Sequence, residues 1–473
     1  MWQALTDYMK AEIIPFHTPG HKLGSGVFSS LKETFGDTLF RLDSSDEVMD
    51  FERNNSFELV LSEAEKLAAE LFGANDTLFL VNGTTSGIHS MLKPLQGKII
   101  VPRFSHVSVY TGLTFAAVEP IFMPTEFDLT WMIPKPPTVE EFNRLILAKN
   151  LSTNENKKET ISTILTYPTY YGQIPNLKQI SNLTIFNNGL ILVDEAHGGH
   201  FHFSKLLPES AIALGADFVA QSTHKYLGSL TQTSMLHCNN KDWTPAVRKT
   251  LQHIQTTSPS LIFLAILDET RRQLAIHGNS LVEKAIELAE SARARLEKIP
   301  GVEVLHREAQ HDPTKLVISM KKVGLRGFEL EDLLRKQYGI QVEMSDYFSI
   351  VALITIGDSE QSIDRLLFAI KDIANKYRTQ NEVCLDILTY PEISPGVMTL
   401  REAFYAETEL VALTECQNRV SAGYLIPYPP GVPLVIPGEI ITSDVIEWLH
   451  VAIKYGCEIR GFSEGKIAVI KDI

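Results

Sequence analysis

Three features predict an α/β architecture built on a mainly parallel seven-stranded sheet, with smaller α+β carboxy-terminal domains after it. Seven short apolar runs fall at 77–81, 98–102, 119–123, 161–166, 190–193, 217–221 and 233–237, and helical or loop connections separate most of them, as expected of strands buried on both faces. Two of these runs end in polar clusters, where a doubly wound sheet hands side chains to a ligand. Beyond residue 300 the pattern changes to short strands interleaved with amphipathic helices, the mark of a further packed layer.

In order, Trp2, Leu5, Tyr8 and Met9 give a short amphipathic helix that docks on the body or on a partner subunit. Pro19, Gly20, Gly24 and Gly26 then force a loop carrying His17, His21 and Lys22. From Phe57 to Phe72 the spacing of Leu59, Leu61, Ala64, Leu67, Ala68 and Leu71 makes a helix, closed by Gly73. After the first strand, Asn82-Gly83-Thr84-Thr85-Ser86-Gly87 leads into the apolar run 88–92. Small residues let the backbone approach closely, and a helix N-terminus offers N–H groups to an anion. Thr84, Thr85 and Ser86 are therefore assigned to a phosphate, although a plain helix cap accounts for the same residues.

Residues 134–160 form a surface excursion, helical over 139–147. The fourth strand delivers Tyr167-Pro168-Thr169-Tyr170-Tyr171-Gly172, whose tyrosines line a channel or simply pack. A long helical pattern over 261–299 leads to strands expected at 302–305, 315–320, 339–342 and 350–356, with helices at 327–337 and 360–377. In the last module 398–413 is expected to be an amphipathic helix and 427–437 a rigid proline-rich turn. The chain so divides into an amino-terminal arm and active-site loop (1–56), a large domain with its linking helix (57–299), a small α/β domain (300–378) and a carboxy-terminal domain (379–473).

With 473 residues, 44% hydrophobic and 21% charged, the chain has the composition of a soluble globular protein of several domains. A formal charge of −14 speaks against nucleic acid as a partner. It suits an acidic vestibule for a cationic substrate, or an ordinary solvated surface. Cys238, Cys384, Cys416 and Cys457 lack disulfide or metal-ligand spacing, which fits a reducing, cytoplasmic setting. Neither a signal peptide nor an 18-residue apolar run is present, so no membrane span is expected.

The chemistry gathers at two strand ends. The fifth strand ends in Asp194 and His197, the sixth in Gln221, Ser222, His224 and Lys225. An acid and an amine delivered in this way can face one bound molecule, and the pairing suits pyridoxal 5'-phosphate. Its aldehyde needs a lysine amine for a Schiff base, and its ring nitrogen needs a carboxylate to hold it protonated. Lys225 is read as the Schiff-base lysine and Asp194 as the partner of the ring nitrogen; a surface lysine and an N-cap aspartate would have the same spacing. Ser222 could reach the phosphate. His224 is placed to relay a proton or hold the lysine, or it fills space. His197 is expected near the cofactor's ring hydroxyl or the substrate. His197, His200 and His202 alternate along one stretch, which points to packing and orientation before a metal triad, and no metal is expected.

Seven motifs then follow one another across nearly the whole chain: Phe-His-Thr-Pro-Gly-His-Lys at 16–22, Pro-Thr-Tyr-Tyr-Gly at 168–172, Asp-Glu-Ala-His-Gly at 194–198, Ser-Thr-His-Lys at 222–225, Thr-Thr-Ser-Pro-Ser at 256–260, Asp-Pro-Thr-Lys-Leu at 312–316 and Pro-Tyr-Pro-Pro-Gly-Val-Pro at 427–433. In this order they resemble the pyridoxal-phosphate-dependent ornithine/lysine/arginine decarboxylase family, whose fold is aspartate-aminotransferase-like (fold type I). The resemblance implies that His106 stacks on the cofactor ring. It also implies that Thr257 and Ser258 belong to a loop given to the neighbouring subunit's phosphate site, hence an obligate dimer with shared sites. Three positions depart from the family pattern: Val107 replaces a usual lysine while Ser108 remains, Leu261 stands where tyrosine is frequent, and Asn418 where glycine is usual. Larger members carry an amino-terminal wing that builds rings. Here the first motif starts almost at residue one, so a short form, dimeric or tetrameric, is expected.

The implied reaction is decarboxylation of a basic amino acid, arginine or lysine and possibly ornithine, to the amine and CO2. Aminotransferases of this fold clamp the substrate carboxylate with an arginine near a late strand; the corresponding run 351–358 has no basic residue. The substrate's distal cation needs an anion. Candidates are Glu343 and Asp346, which the family pattern also contains, and the acidic stretch 43–50. The rival expectations are an aminotransferase or aldolase on the same scaffold, and a catalytically silent cofactor-binding regulatory protein.

Overall fold

The computed structural model describes residues 1–11, 13–45, 56–149, 160–186, 188–306, 311–378, 381–383, 390–428, 431–454 and 456–471. Seven strands, β1 (Asp76–Leu80), β2 (Lys98–Pro102), β3 (Glu119–Met123), β4 (Ile161–Thr166), β5 (Ile191–Asp194), β6 (Phe218–Gln221) and β7 (Ser234–Cys238), form the large sheet in the order β1-β7-β6-β5-β4-β2-β3. Each lies within one residue of its expected run. β2 is parallel to β3 and β4, and β5 to β6; β7 is antiparallel to both β6 and β1. Nearly every residue of these strands is buried except in β3, so the continuous apolar runs, rather than an alternating pattern, are what this sheet requires.

The chain forms two compact units. The first comprises Met1–Pro94, Ile191–Lys205 and Glu209–Val282, the second Leu95–Leu190, Leu206–Pro208 and Glu283–Ile473.

In the first unit the helix Phe57–Phe72 buries Ala64, Ala68, Ala69 and Phe72 and ends on Gly73, as its spacing predicts. Helix Gly83–Leu92 follows β1 through Gly83, whose φ of 73° makes the turn and whose N–H donates to Gln232 O at 2.9 Å. The helix then lies very close to the sheet. A Cβ on Gly87 would stand 2.7 Å from Leu80 Cδ1 and 3.5 Å from Ala220 Cβ, so any larger residue would have to push the Leu80 methyl aside. Helix Ser29–Leu42 is among those the sequence pattern did not announce: it buries no residue, and Gly36 at φ 75° interrupts it, so it carries no apolar stripe.

In the second unit, strands Glu303–Val304, Lys315–Ser319, Ser349–Leu353 and Met344–Ser345 form an antiparallel sheet in that order, with helices Gly327–Tyr338 and Glu360–Tyr377 contributing to its core. The strand expected at 339–342 is not there. Gly339 instead takes φ 65° as the cap of the preceding helix, and Ile340 N–H returns to Leu334 O at 3.0 Å, so the pairing strand starts only at Met344. The helix expected over 398–413 is also corrected. Thr399 and Glu402 form a capping box, but the helix spans only Leu400–Tyr405; Ala406 is extended, and Thr408–Ala412 pairs with Lys466–Ile470. Arg103, just after β2, is buried and meets Glu439 through two bonds, Nη1 to Oε1 at 2.9 Å and Nη2 to Oε2 at 2.6 Å. It also donates to the carbonyls of Pro433 and Leu434, which fastens the proline-rich turn to β2. No described helix is long and apolar enough to cross a membrane. Cys384 lies outside the described residues.

Candidate active site

The first unit brings most of the candidate residues together. β5 and β6 pair in parallel with Asp194 opposite Ala220, so the turn after β5 and the turn after β6 leave the sheet side by side. From the first turn comes His197, buried, and from the second Lys225, half-buried; Lys225 Nζ lies 2.8 Å from His197 Nε2. Asp194 is buried at the end of β5, and its Oδ1 accepts the N–H of Ala196 at 3.1 Å, a bond that shapes the turn. On the residue just before Lys225, His224 Nδ1 meets Thr233 O at 2.8 Å. A carbonyl can only accept, so Nδ1 carries the hydrogen and Nε2 is the nitrogen able to take up a proton.

Helix Gly83–Leu92 begins beyond the end of β1, and its first residue already donates to Gln232. The N–H groups of Thr84 and Thr85 fall in the first turn, where a helix has no acceptors of its own. The three hydroxyl residues divide. Thr84 is buried, with Oγ1 2.5 Å from Ser222 Oγ and 2.8 Å from Ser234 Oγ; Ser86 donates to Gly83 O at 2.8 Å; Thr85 is exposed. Ser222 therefore connects the helix start to the turn that carries Lys225. Thr257 and Ser258 are exposed on the loop before helix Leu261–Leu296, and Thr256 N–H reaches Asn82 Oδ1 at 3.5 Å. An amine, a buried carboxylate and an N–H-rich helix start are what pyridoxal 5'-phosphate needs of a protein, so the donor set fits that cofactor. Among the described residues no group of three or more His, Cys, Asp or Glu is arranged to hold a metal ion.

Sequence reasoning missed Glu195. It is fully buried beside Asp194, accepts Ala211 N–H at 2.8 Å and Gln221 Nε2–H at 2.6 Å, and burial pushes its carboxyl up to about 8 against those bonds. The available signal was the acidic doublet at a strand end, since successive residues there face opposite ways.

In the second unit His106 is exposed and caps helix Val107–Phe115. Its Nδ1 accepts Ser108 N–H at 3.2 Å and lies 2.8 Å from Ser108 Oγ, so the retained serine orients the ring. The two substrate candidates differ. Glu343 is exposed, whereas Asp346 is buried and accepts Phe348 N–H at 2.9 Å, Ser349 N–H at 2.6 Å and Ser349 Oγ–H at 2.7 Å, closing its own hairpin. Burial raises Asp346 to about 6 against these bonds, and burial together with Asp346 lifts the Tyr171 phenol well above its usual range. The acidic stretch 43–50 is described only through 45, where Asp43 pairs with His21 at 3.0 Å. Two departures from the family pattern have local explanations. Asn418 sits at φ 61°, a left-handed conformation that asparagine tolerates nearly as glycine does, and Leu261 is buried at the start of its helix.

Comparison with known proteins identifies the family. The profile of the Orn/Lys/Arg decarboxylase major domain matches residues 1–310, and that of its C-terminal domain residues 378–467. The arginine decarboxylase of Bacillus subtilis (strain 168) is 36% identical over 493 residues, covering 100% of this chain and 97% of that protein. Among solved structures, the constitutive lysine decarboxylase of E. coli superposes with a TM-score of 0.84 at 22% identity, over 99% of this chain and 81% of that one. A serine palmitoyltransferase from Sphingomonas wittichii superposes with a TM-score of 0.55 at 16% identity, over 78% of this chain and 86% of that one. The two superpositions speak to the fold alone.

Proposed function

Because the chain belongs to the Orn/Lys/Arg decarboxylase family, we propose that it is a pyridoxal 5'-phosphate-dependent decarboxylase of a basic amino acid, with arginine as substrate. The observation that carries this reading is the meeting of Lys225 Nζ and His197 Nε2 at 2.8 Å, beside buried Asp194, at the ends of two paired strands. The choice of arginine is supported by the full-length likeness to an arginine decarboxylase.

When bound, the cofactor supplies an electron-withdrawing ring that accepts the electron pair left by departing CO2. The residues do the rest. Lys225 holds the cofactor through its amine. Asp194, buried, keeps the ring nitrogen protonated. The Thr84 and Thr85 N–H groups, with Ser222, take the phosphate, Thr84 and Ser86 acting behind them by fixing the helix start. His197, with Nε2 2.8 Å from Lys225 Nζ, steadies the lysine side chain. His224, with Nδ1 committed to Thr233 O, returns a proton from Nε2 to the substrate Cα, or Lys225 does so. Glu343, exposed, is the better placed of the two acidic candidates to receive a guanidinium, because Asp346 is spent on its hairpin. By the family resemblance, His106 would serve as the residue that lies against the cofactor ring.

Thr257 and Ser258 complete the phosphate site of a second subunit in a homodimer or tetramer, which their exposure allows. Buried Cys238 and Cys416 are free thiols, which suits a cytoplasmic enzyme of polyamine synthesis. The purified protein, supplied with pyridoxal phosphate, is expected to release CO2 from arginine faster than from lysine or ornithine; amine formation without CO2, or equal inertness to all three, would overturn the reading. Gel filtration over a range of concentrations tests the assembly.

A further inference from the structure

One buried acid has no part in the steps above. Glu195 follows β5, and its carboxylate accepts from Ala211 N–H and from Gln221 Nε2, the side chain that ends β6. Gln221 Oε1 lies 3.0 Å from His237 Nε2 on β7, and His237 Nδ1 lies 2.8 Å from Thr77 Oγ1 on β1. Since Gln221 turns its nitrogen to Glu195, its oxygen must accept from His237 Nε2–H; Nδ1 is then an acceptor and the Thr77 hydroxyl donates. Four neighbouring strands are thereby crossed by one directional chain of donors that ends on Glu195. The main chain doubles the tie, with Glu195 N–H donating to Ala220 O at 2.9 Å and Gly198 N–H to Glu195 O at 3.0 Å.

We propose that Glu195 is a positioning residue: through Gln221, His237 and Thr77 it locks the end of β5, which bears Asp194 and His197, to the end of β6, which bears Lys225, and so sets the Lys225–His197 contact. The role rests on reading Lys225 as the cofactor lysine. Burial supports it, because it lowers His237 to about 3 and keeps the ring neutral, as a residue that donates at one nitrogen and accepts at the other must be. Alanine at 195 would leave Ala211 N–H and the Gln221 amide N–H without the carboxylate that accepts from both. Glutamine would not. In E195Q the new amide oxygen accepts from Ala211 and the new nitrogen donates to Gln221 Oε1. Gln221 turns over and donates to His237 Nε2, and His237 Nδ1–H then donates to Thr77.

Nitrogen-15 NMR of the cofactor-free protein at about pH 9, above the value of about 8 to which burial raises Glu195, reads the chain directly. His237 is expected to carry its hydrogen on Nε2 in the wild type and on Nδ1 in E195Q. Fluorescence titration with pyridoxal phosphate is expected to give an affinity roughly tenfold or more weaker for E195A, with turnover lost in kcat rather than KM, and within about threefold of wild type for E195Q. Should E195A not fold, Q221M cuts the chain while keeping the carboxylate and is expected to weaken cofactor binding likewise. A wild-type Nδ1–H tautomer at this pH, or an E195A (or Q221M) protein that binds the cofactor as the wild type does, overturns the proposal. If the wild type itself binds no cofactor, the functional reading falls and the role falls with it. Normal wild-type binding with an indifferent E195A sinks the role alone.

Discussion

Arg103 and Lys225 are cations of two different interiors, one in each unit, and their surroundings differ in kind. Arg103 faces a carboxylate squarely, with two bonds to Glu439 and further bonds to two carbonyls, and both partners are buried. Lys225 is half-buried and meets a histidine nitrogen, His197 Nε2, at 2.8 Å. The two interiors divide their acids in the same way. Glu439 is matched to a guanidinium, whereas Glu195 accepts only from neutral amides and burial pushes it up to about 8. A buried ion pair with matched geometry is spent on holding parts together. A cation set against a group that can give up or accept a proton stays available for bond making.

The comparison breaks first at Lys225. Lys225→Ala is expected to lower arginine decarboxylation by on the order of a thousandfold or more, and borohydride treatment followed by mass spectrometry should no longer find the cofactor fixed to the chain. Arg103→Met should show the opposite profile. It leaves Glu439 buried without its partner and is expected to lower unfolding free energy by about 3–5 kcal/mol in denaturant titrations, with cofactor affinity unchanged in the protein that remains folded.

Glu195 sharpens the contrast through pH. Its folded value of about 8 lies above the ordinary 4.5, so the stability it contributes is intact below about 4.5 and is lost as pH rises through 8. E195Q cannot ionise. The gap in unfolding free energy between E195Q and wild type is expected to open from near zero at about pH 4.5 to on the order of 5 kcal/mol at about pH 9, as read by thermal or urea unfolding at each pH. Glu343→Gln, at an exposed acid proposed to face the substrate, should raise KM for arginine roughly tenfold with little change in kcat, whereas Asp346→Asn should show itself in stability. The smallest effect is expected at Asn418→Gly, which relieves a left-handed asparagine and should move stability by less than about 1 kcal/mol.

The seven strands of the large sheet were legible because burial on both faces writes an unbroken apolar run, a signal that needs no knowledge of partners. The same legibility extended to Asp194, His197, Ser222, His224 and Lys225, which sit where those runs turn polar. Other parts were set by relations the sequence does not spell out. Residues 339–342 are as apolar as a strand, but Gly339 is claimed by the helix before it. Residues 398–413 carry helical spacing, but 408–412 is captured by Lys466–Ile470, more than fifty residues later in the chain. Glu195 was passed over because its partners Ala211, Gln221, His237 and Thr77 come from four separate places in the sequence. Asp346 looked like a free acid in a short motif until its hairpin folded around it.

Thr84 stands between Ser222 and Ser234, so a single hydroxyl fastens the start of one helix, the approach to the lysine and the first residue of β7. On the proposed reading, the groups that would take the phosphate and the lysine that would take the aldehyde share this one hydroxyl. On that reading, removing the Thr84 hydroxyl is expected to weaken both holds together rather than one at a time.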